Sequence, residues 1–252
     1  MNLAKRLLYL FSAFLVIIQM GCAKEAPAGN IPHGMVALSF DDAYIDNWFA
    51  NLPLLDSMGI KATFYVSAYH SFSHEQKNKL RIIEAHGNEV AYHTSNHADL
   101  VKLNRTSGAN AVIDQEIRPD LNLMKADGFN PVNFAYPFGQ HDDVLNLMLL
   151  QYFKSVRVLS HPPYNKSYAC YKGNTNKVFY SIGIDSKSKL KDEDIRAKMQ
   201  VANANNTCVF LYAHAINDAS KKFQISADRI RFIGRVAREY NLQFVTTADM
   251  TN

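Results

Sequence analysis

From Met35 onward, short runs rich in β-branched and aromatic residues alternate with segments of helical period, and that alternation leaves few folds open. The runs are "MVALSF", "ATFYVS", "EVAYHT", "VNFAYP", "SVRVLS", "VFYSIGI", "CVFLYAH" and "QFVTTA". Between them the spacing of apolar residues predicts helices over 47–57, 75–85, 109–125, 142–151, 192–202 and 225–240. Near-continuous apolarity within the runs fits strands buried on both faces, and the intervening helices supply the crossovers that parallel strands require. About eight such repeats predict an α/β fold, a distorted or incomplete (β/α) barrel of about seven to eight parallel strands. An open doubly wound sheet is the other arrangement this order allows. No interior stretch has the composition of a linker, so residues 35–252 read as one domain.

The first 22 residues have a different character. Lys5 and Arg6 precede an uncharged apolar stretch from Leu7 to Ile18, and "QMGCAKEAPAGN" follows. A basic start and an apolar segment too short to span a bilayer comfortably make a signal-peptide layout. Cys22, directly after Gly21, resembles the lipobox cysteine of bacterial lipoproteins, which is lipidated after cleavage before it; Gln19 stands where that motif usually has Leu. A cleaved ordinary signal and an uncleaved anchor are the alternatives. All three place the folded part outside the cytoplasm, and the lipobox reading makes the chain an outer-membrane or periplasm-facing lipoprotein tied to the membrane through Cys22. Residues 23–34, with Pro27, Gly29, Pro32 and Gly34, read as a flexible tether. Of the remaining cysteines, Cys170 and Cys208 either join in a disulfide or serve as small buried hydrophobes, and their spacing matches no zinc motif. The formal net charge of +4 comes without a basic run, which speaks against a nucleic-acid surface.

Polar residues gather where the predicted strands end. Asp41 and Asp42 close the first, with no Lys or Arg nearby in sequence to neutralise them; His93 closes the third, Tyr136 to Gly139 the fourth and His214 the seventh. In a barrel of parallel strands those ends form one rim, where the active site lies. In "HTSNH", His93 and His97 are four residues apart, a spacing that sets both imidazoles on one side of a helical turn; two exposed loop histidines are the plainer reading. Two neutral imidazoles plus one carboxylate would leave open positions for water and substrate around a divalent ion, and zinc suits such a set. One aspartate then binds the ion while the other, beside it, takes a proton from water.

These residues resemble the polysaccharide deacetylases of the NodB-like type, carbohydrate esterase family 4. "SFDD" at Ser39 to Asp42 matches the family's Thr-Phe-Asp-Asp apart from Ser, and His93 to His97 match its His-Ser/Thr-x-x-His in full. "AYPFG" looks like Arg-x-Pro-x-Gly with Ala135 in place of Arg, and "LYAH" looks like Leu-x-His with one residue more between Leu211 and His214. The resemblance extends from Met35 to Asp249. It implies Asp41 as general base, Asp42, His93 and His97 as ligands of one divalent metal (zinc, with cobalt or nickel as alternatives), the Phe138 N–H at the oxyanion, and His214 as general acid. It also implies an acetylated polysaccharide substrate held near Tyr44, Tyr136, Pro137 and Gly139. Trp48, Tyr69 and Tyr164 are further candidates for the rim, although the apolar neighbours of Trp48 favour a core position.

Two departures bear on the chemistry. The motif arginine that pairs with the base is Ala135, and "GIDSKSK" keeps Asp185 but has Ser188 and Lys189 where the family's Asp-x-x-Asp-Trp has its second acid and tryptophan. The acid that orients the catalytic histidine is therefore expected to be missing, whereas Arg157, at the end of the fifth strand, is placed to supply charge to Asp41 from another direction. The "FAYP" form occurs in members resembling poly-β-1,6-N-acetylglucosamine deacetylases, some of them outer-membrane lipoproteins, which makes that biofilm glycan the first expectation and a cell-wall glycan the next. The other readings are an O-acetyl polysaccharide esterase, a non-haem iron oxygenase, which usually has a carboxylate where Ser95 stands, and a non-catalytic glycan-binding surface lipoprotein. Nothing in the sequence indicates an oligomeric state.

Overall fold

Strand β1 (Met35–Asp42) sets the frame because its two side-chain sets are different in kind. Val36, Leu38 and Phe40 face outward into the main apolar core beneath the helices. Met35, Ala37, Ser39 and Asp41 alternate with them and face inward. The computed structural model describes residues 34–251 except 163, 165, 171–176 and 218–220, so the expected signal segment, Cys22 and nearly all of the tether lie outside the described residues.

The other strands are β2 (Ala62–Val66), β3 (Glu89–Tyr92), β4 (Asn133–Ala135), β5 (Ser155–Leu159), β6 (Tyr168–Cys170), β7 (Val178–Gly183), β8 (Thr207–Ala213), β9 (Ala215–Asn217), β10 (Gln224–Ser226) and β11 (Gln243–Phe244). β1, β2, β3, β4, β5, β7 and β8 are parallel neighbours in that order, and β8 pairs back onto β1, closing a barrel of seven parallel strands. The expected barrel is therefore the observed one. "QFVTTA" is not an eighth stave: only β11 pairs, beside the start of β1, and Thr247–Thr251 is helical. The barrel is distorted between β7 and β8, which pair only at Ile182 and Gly183, while antiparallel β6 occupies the lower half of the β8 edge.

The inward residues form layers. Met35, Ala37, Phe179, Cys208, Phe210, Val245 and Met250 make an apolar floor, in which each fully buried large side chain contributes roughly 1.5–3 kcal/mol. Above it Ser155 Oγ donates to Asn133 Oδ1 (2.7 Å), Asn133 Nδ2 to Glu89 Oε1 (2.6 Å), and Thr63 Oγ1 to Glu89 Oε2 (2.9 Å). Higher still, the small side chains of Ala91 and Ala135 pack with Tyr65. The Arg157 guanidinium lies 5.1 Å from the ring centres of both Tyr65 and Tyr212. Asp41, His93 and His214 continue the inward sets of β1, β3 and β8 at the top.

Local chemistry explains where the helices depart from expectation. The helix predicted over 47–57 is two, Ile45–Ala50 and Leu52–Met58, parted at Asn51 just before Pro53, a residue suited to a first helical turn. The segment predicted over 109–125 is longer and interrupted: Leu100–Ala111 is capped by Asp99 and kinked at Gly108, Val112–Ile117 is a π-helical turn, and Arg118–Ala126 starts around Pro119. Residues 225 and 226 belong to β10, and Ser226 caps the helix Ala227–Glu239. The register sets Ala169, not Cys170, opposite Cys208, which is a free thiol pushed up in pKa by its burial. Cys208 thus fills the floor as a small hydrophobe, and the disulfide alternative falls.

Candidate active site

Strand parity alone would point Asp42 outward with Phe40. Its φ of 86° turns the end of β1 and brings Asp42 Oδ1 to 3.1 Å from His97 Nε2 and 3.6 Å from His93 Nε2. Thr94 (φ 72°), His97 (φ 54°) and Phe138 (φ 58°) share this left-handed backbone, so four strained residues converge on one rim. The histidine pair does not ride on a helical turn as the spacing suggested; left-handed residues in a loop after β3 bring the rings to 5.0 Å, edge to face.

His93 is 2% exposed, and its Nδ1 donates to the Ala135 carbonyl at 2.7 Å, which fixes the proton there and leaves the Nε2 lone pair toward Asp42. One ligand atom each from Asp42, His93 and His97 lie within 4.8 Å of one another. Burial would raise the Asp42 carboxyl, but the close imidazoles of His93 and His97 outweigh it and hold the group far below the usual carboxylate range. A carboxylate kept ionised beside two imidazoles, one with a fixed tautomer, fits a divalent ion.

On the barrel side of this triad, Asp41 is 3% exposed and its Oδ1 lies 2.5 Å from Arg157 Nη2. Arg157 is the cross-strand partner of Ala135, so the charge expected from the motif position comes from the same level of the adjacent strand. On the other side, His214 Nδ1 lies 2.6 Å from Asp185 Oδ2. The expected loss of an orienting acid is thereby corrected: Asp185 is itself buried and takes that part, held by the Lys187 N–H on Oδ1 at 3.0 Å. Burial works against a charged His214, yet the hydrogen bond to Asp185 and the fields of Asp41 and Asp42 raise its pKa above the ordinary imidazole value.

A cleft of about 230 Å³ joins these groups, lined by Asp41, Asp42, His93, His97, Arg157 and His214 among others. Tyr136, Phe138 and Gly139 form one wall. Phe138 is 59% exposed with its ring 4.8 Å from His97. Gly139 has φ 68°, and a Cβ there would meet Leu159 Cγ at 2.1 Å, so no other residue fits. Pro137 is buried behind this wall, and Tyr44 is exposed beside Trp48 without lining the cleft. Trp48 and Tyr69 leave the rim for the core; Trp48 Nε1 donates to the His214 carbonyl at 3.0 Å, and Tyr69 OH donates to Asp127. Half-buried Tyr164 packs against the core with its ring under Lys198. Leu159, Lys187, Tyr212 and Phe223 also line the cleft and were not anticipated, although Tyr212 shares the inward parity of Phe210 and His214.

A sequence profile described as polysaccharide deacetylase matches residues 28–152. A probable peptidoglycan-N-acetylglucosamine deacetylase of Arthroderma benhamiae is 32% identical over 107 residues, 42% of this chain and 24% of that protein. A chitin deacetylase of the same organism is 28% identical over 116 residues, 45% of this chain and 30% of its own length. The chain thus spans less than a third of these relatives. Among solved structures, a peptidoglycan deacetylase from Bacillus subtilis superposes with a TM-score of 0.55 at 19% identity, covering 86% of this chain and 89% of the other. A family 4 carbohydrate esterase from Streptomyces lividans does so with 0.58 at 16% identity, covering 87% and 96%. At such identities the likeness is one of fold.

Proposed function

Because the chain belongs to the polysaccharide deacetylase family, we propose that it hydrolyses N-acetyl groups of an N-acetylglucosamine-containing polysaccharide with the help of one divalent metal, zinc first and cobalt or nickel as alternatives. The observation that carries this reading is the pair of charge relays flanking Asp42, His93 and His97: Asp41 with Arg157 on one side, His214 with Asp185 on the other. Hydrolysis of an amide needs a base for water and an acid for the amine, and the two relays are built for opposite proton transfers.

Asp42, His93 and His97 would hold the ion, which when bound polarises the acetyl carbonyl and makes water a better nucleophile. The Asp41 carboxylate, positioned by Arg157, takes the proton of the attacking water. The backbone N–H of Phe138, on the strained turn of the third motif, faces the developing oxyanion. Asp185, engaging Nδ1, favours the protonated imidazole of His214, whose Nε2 gives its proton to the departing amine, so that acetate and a free amino sugar result. Tyr136, Phe138 and Gly139 wall the acetyl group, and exposed Tyr44 offers a flat face to a neighbouring sugar ring.

Poly-β-1,6-N-acetylglucosamine is our preferred glycan, with a cell-wall glycan such as the named relatives' peptidoglycan or chitin as the competitor. An O-acetyl esterase would use the same residues, but an alkoxide leaves with less help from an acid, and a histidine as well supported as His214 favours the amide. The non-catalytic reading rested on missing partners for Asp41 and His214, and both have partners here. We propose in addition that the mature chain begins at Cys22, carries lipid there and works outside the cytoplasm; Cys22→Ser should release it from membranes or stall its processing.

The test is acetate and free-amine release from acetylated glycans by protein supplied with zinc, cobalt or nickel. His97→Ala should lose the metal. Asp41→Asn should keep it and lose turnover, because the amide retains the shape and not the basicity. Equal metal content in parent and His97→Ala would remove the assignment.

A further inference from the structure

The loop that carries both histidines is docked on a broken helix, and the break is written into the sequence. In an unbroken α-helix the Gln115 carbonyl would accept from residue 119 and the Glu116 carbonyl from residue 120. Residue 119 is proline, which has no N–H and whose ring pushes the carbonyl four residues earlier aside. The Asp120 N–H is diverted to Ser95 Oγ at 3.2 Å. The π-helical turn Val112–Ile117 presents the carbonyls of Gln115, Glu116 and Ile117 to the end of β3 and the histidine loop that follows it. Asn96 Nδ2 donates to Gln115 O (3.2 Å), the Ser95 N–H to Glu116 O (3.0 Å), and the Tyr92 hydroxyl lies 2.9 Å from the carbonyls of Glu116 and Ile117.

Glu116 adds its side chain. It is 3% exposed, and Oε2 accepts the Asn96 N–H at 2.9 Å while Oε1 accepts Asn96 Nδ2 at 3.0 Å. Asn96 lies between two left-handed residues, Thr94 and His97, in the segment whose backbone decides where the His97 ring points. A loop of that conformation has no helix or ladder of its own to hold it, and a buried carboxylate gripping its central peptide restricts the rotation that would carry His97 away from Asp42.

We propose that Glu116 is a positioning residue for the metal centre: with the Pro119 break, it templates the Ser95–Asn96 turn and so sets the affinity and geometry of the Asp42, His93 and His97 site. This rests on the reading of those three residues as metal ligands. Groups that orient ligands typically change metal affinity by about 10–100-fold when removed.

The experiment measures zinc affinity by chelator competition and the visible spectrum of the cobalt-loaded protein in the parent, Glu116→Ala, Glu116→Gln, Asn96→Ala and Val236→Ala. Val236 is a buried residue of helix Ala227–Glu239, outside the loop and its template, and its truncation controls for lost stability. Glu116→Ala should bind zinc about 10–100-fold more weakly and alter the cobalt bands. Glu116→Gln, which keeps one acceptor, should fall between Glu116→Ala and the parent, and Val236→Ala should melt earlier with the parent's affinity and spectrum. Asn96 is exposed, so Asn96→Ala carries the test if Glu116→Ala does not fold, and it should weaken zinc in the same direction. Parental affinity and spectrum in Glu116→Ala, or in Asn96→Ala where that variant stands in, would overturn the inference while leaving the ligands assigned. A parent that binds neither metal would overturn the site reading and the inference with it.

Discussion

Two acid-base pairs meet at the cleft, one buried and one partly buried, and the consequences of breaking them differ. Arg157 and Asp41 are each almost wholly enclosed, so Arg157→Ala strands a carboxylate inside the barrel, at a cost on the order of 3–5 kcal/mol in urea unfolding. Arg157→Lys restores charge without the planar group that lies between the rings of Tyr65 and Tyr212, so it should recover part of that stability and little of kcat. Asp185→Asn acts on protons instead. The carboxylate raises the His214 pKa, so its removal lowers that value, and a histidine that must be protonated to act fails earlier as pH rises. The basic limb of kcat/KM should move to lower pH, with the acidic limb unmoved, when metal saturation is verified at each pH; an unmoved basic limb would show that His214 is not the acid. Both partners are present in the sequence as plain residues. What hides their pairing is distance along the chain: Asp41 meets Arg157 only because the barrel curls β5 toward β1, and no local pattern announces it.

At the scale of elements, the strands were legible because a parallel barrel buries both faces of each run, and the rim motifs were legible because each run ends in polar residues. Strand parity then places Asp41, Arg157, Tyr212 and His214 without further information. The poorly legible parts are those where backbone chemistry overrides periodicity. "NRTSGAN" has weak helix formers and no apolar stripe, and Leu100–Ala111, capped at its start by Asp99, is kinked within that stretch at Gly108 (φ 82°); β6, β9 and β10 are three residues each, too short for alternation to register. Parity also changes one expectation. On sequence grounds Ala135→Arg invites trial as a way to return the motif charge, but Ala135 is fully buried in a small-residue layer beside Tyr65, opposite Arg157. The added side chain has no space, so the variant should lose about 1–3 kcal/mol and gain no activity. Ala135→Arg combined with Arg157→Ala should regain stability relative to the sum of the single changes, because one cation then replaces the other at the same level; strict additivity in thermal or urea unfolding would contradict this.

Across the whole molecule, the barrel interior runs from an apolar floor to a charged rim, and the C-terminal segment closes the floor while reaching upward. Thr247, at the start of the last helix, has Oγ1 at 3.0 Å from the Tyr65 hydroxyl and 3.2 Å from Thr63 Oγ1, and its N–H donates to Thr63 Oγ1 at 2.8 Å. Tyr65 in turn lies against Arg157, the partner of Asp41. The end of the chain is therefore linked to the candidate base through one tyrosine, and two substitutions separate packing from hydrogen bonding along that line. Thr247→Val leaves the buried Tyr65 hydroxyl without its acceptor and should cost about 1–3 kcal/mol. Tyr65→Phe removes the hydroxyl together with its need for a partner, so in a Thr247→Val background it should cost little, and the double variant should be more stable than the two single effects added. The ring survives in all three proteins, so Arg157 stays flanked and kcat should remain near the parent's. Tyr65→Ala deletes the ring, frees the guanidinium to leave Asp41, and should lower kcat even where metal content is normal. Equal kcat in Tyr65→Ala and Tyr65→Phe, both fully folded and metal-loaded, would mean that the ring has no part in holding Arg157 to the base.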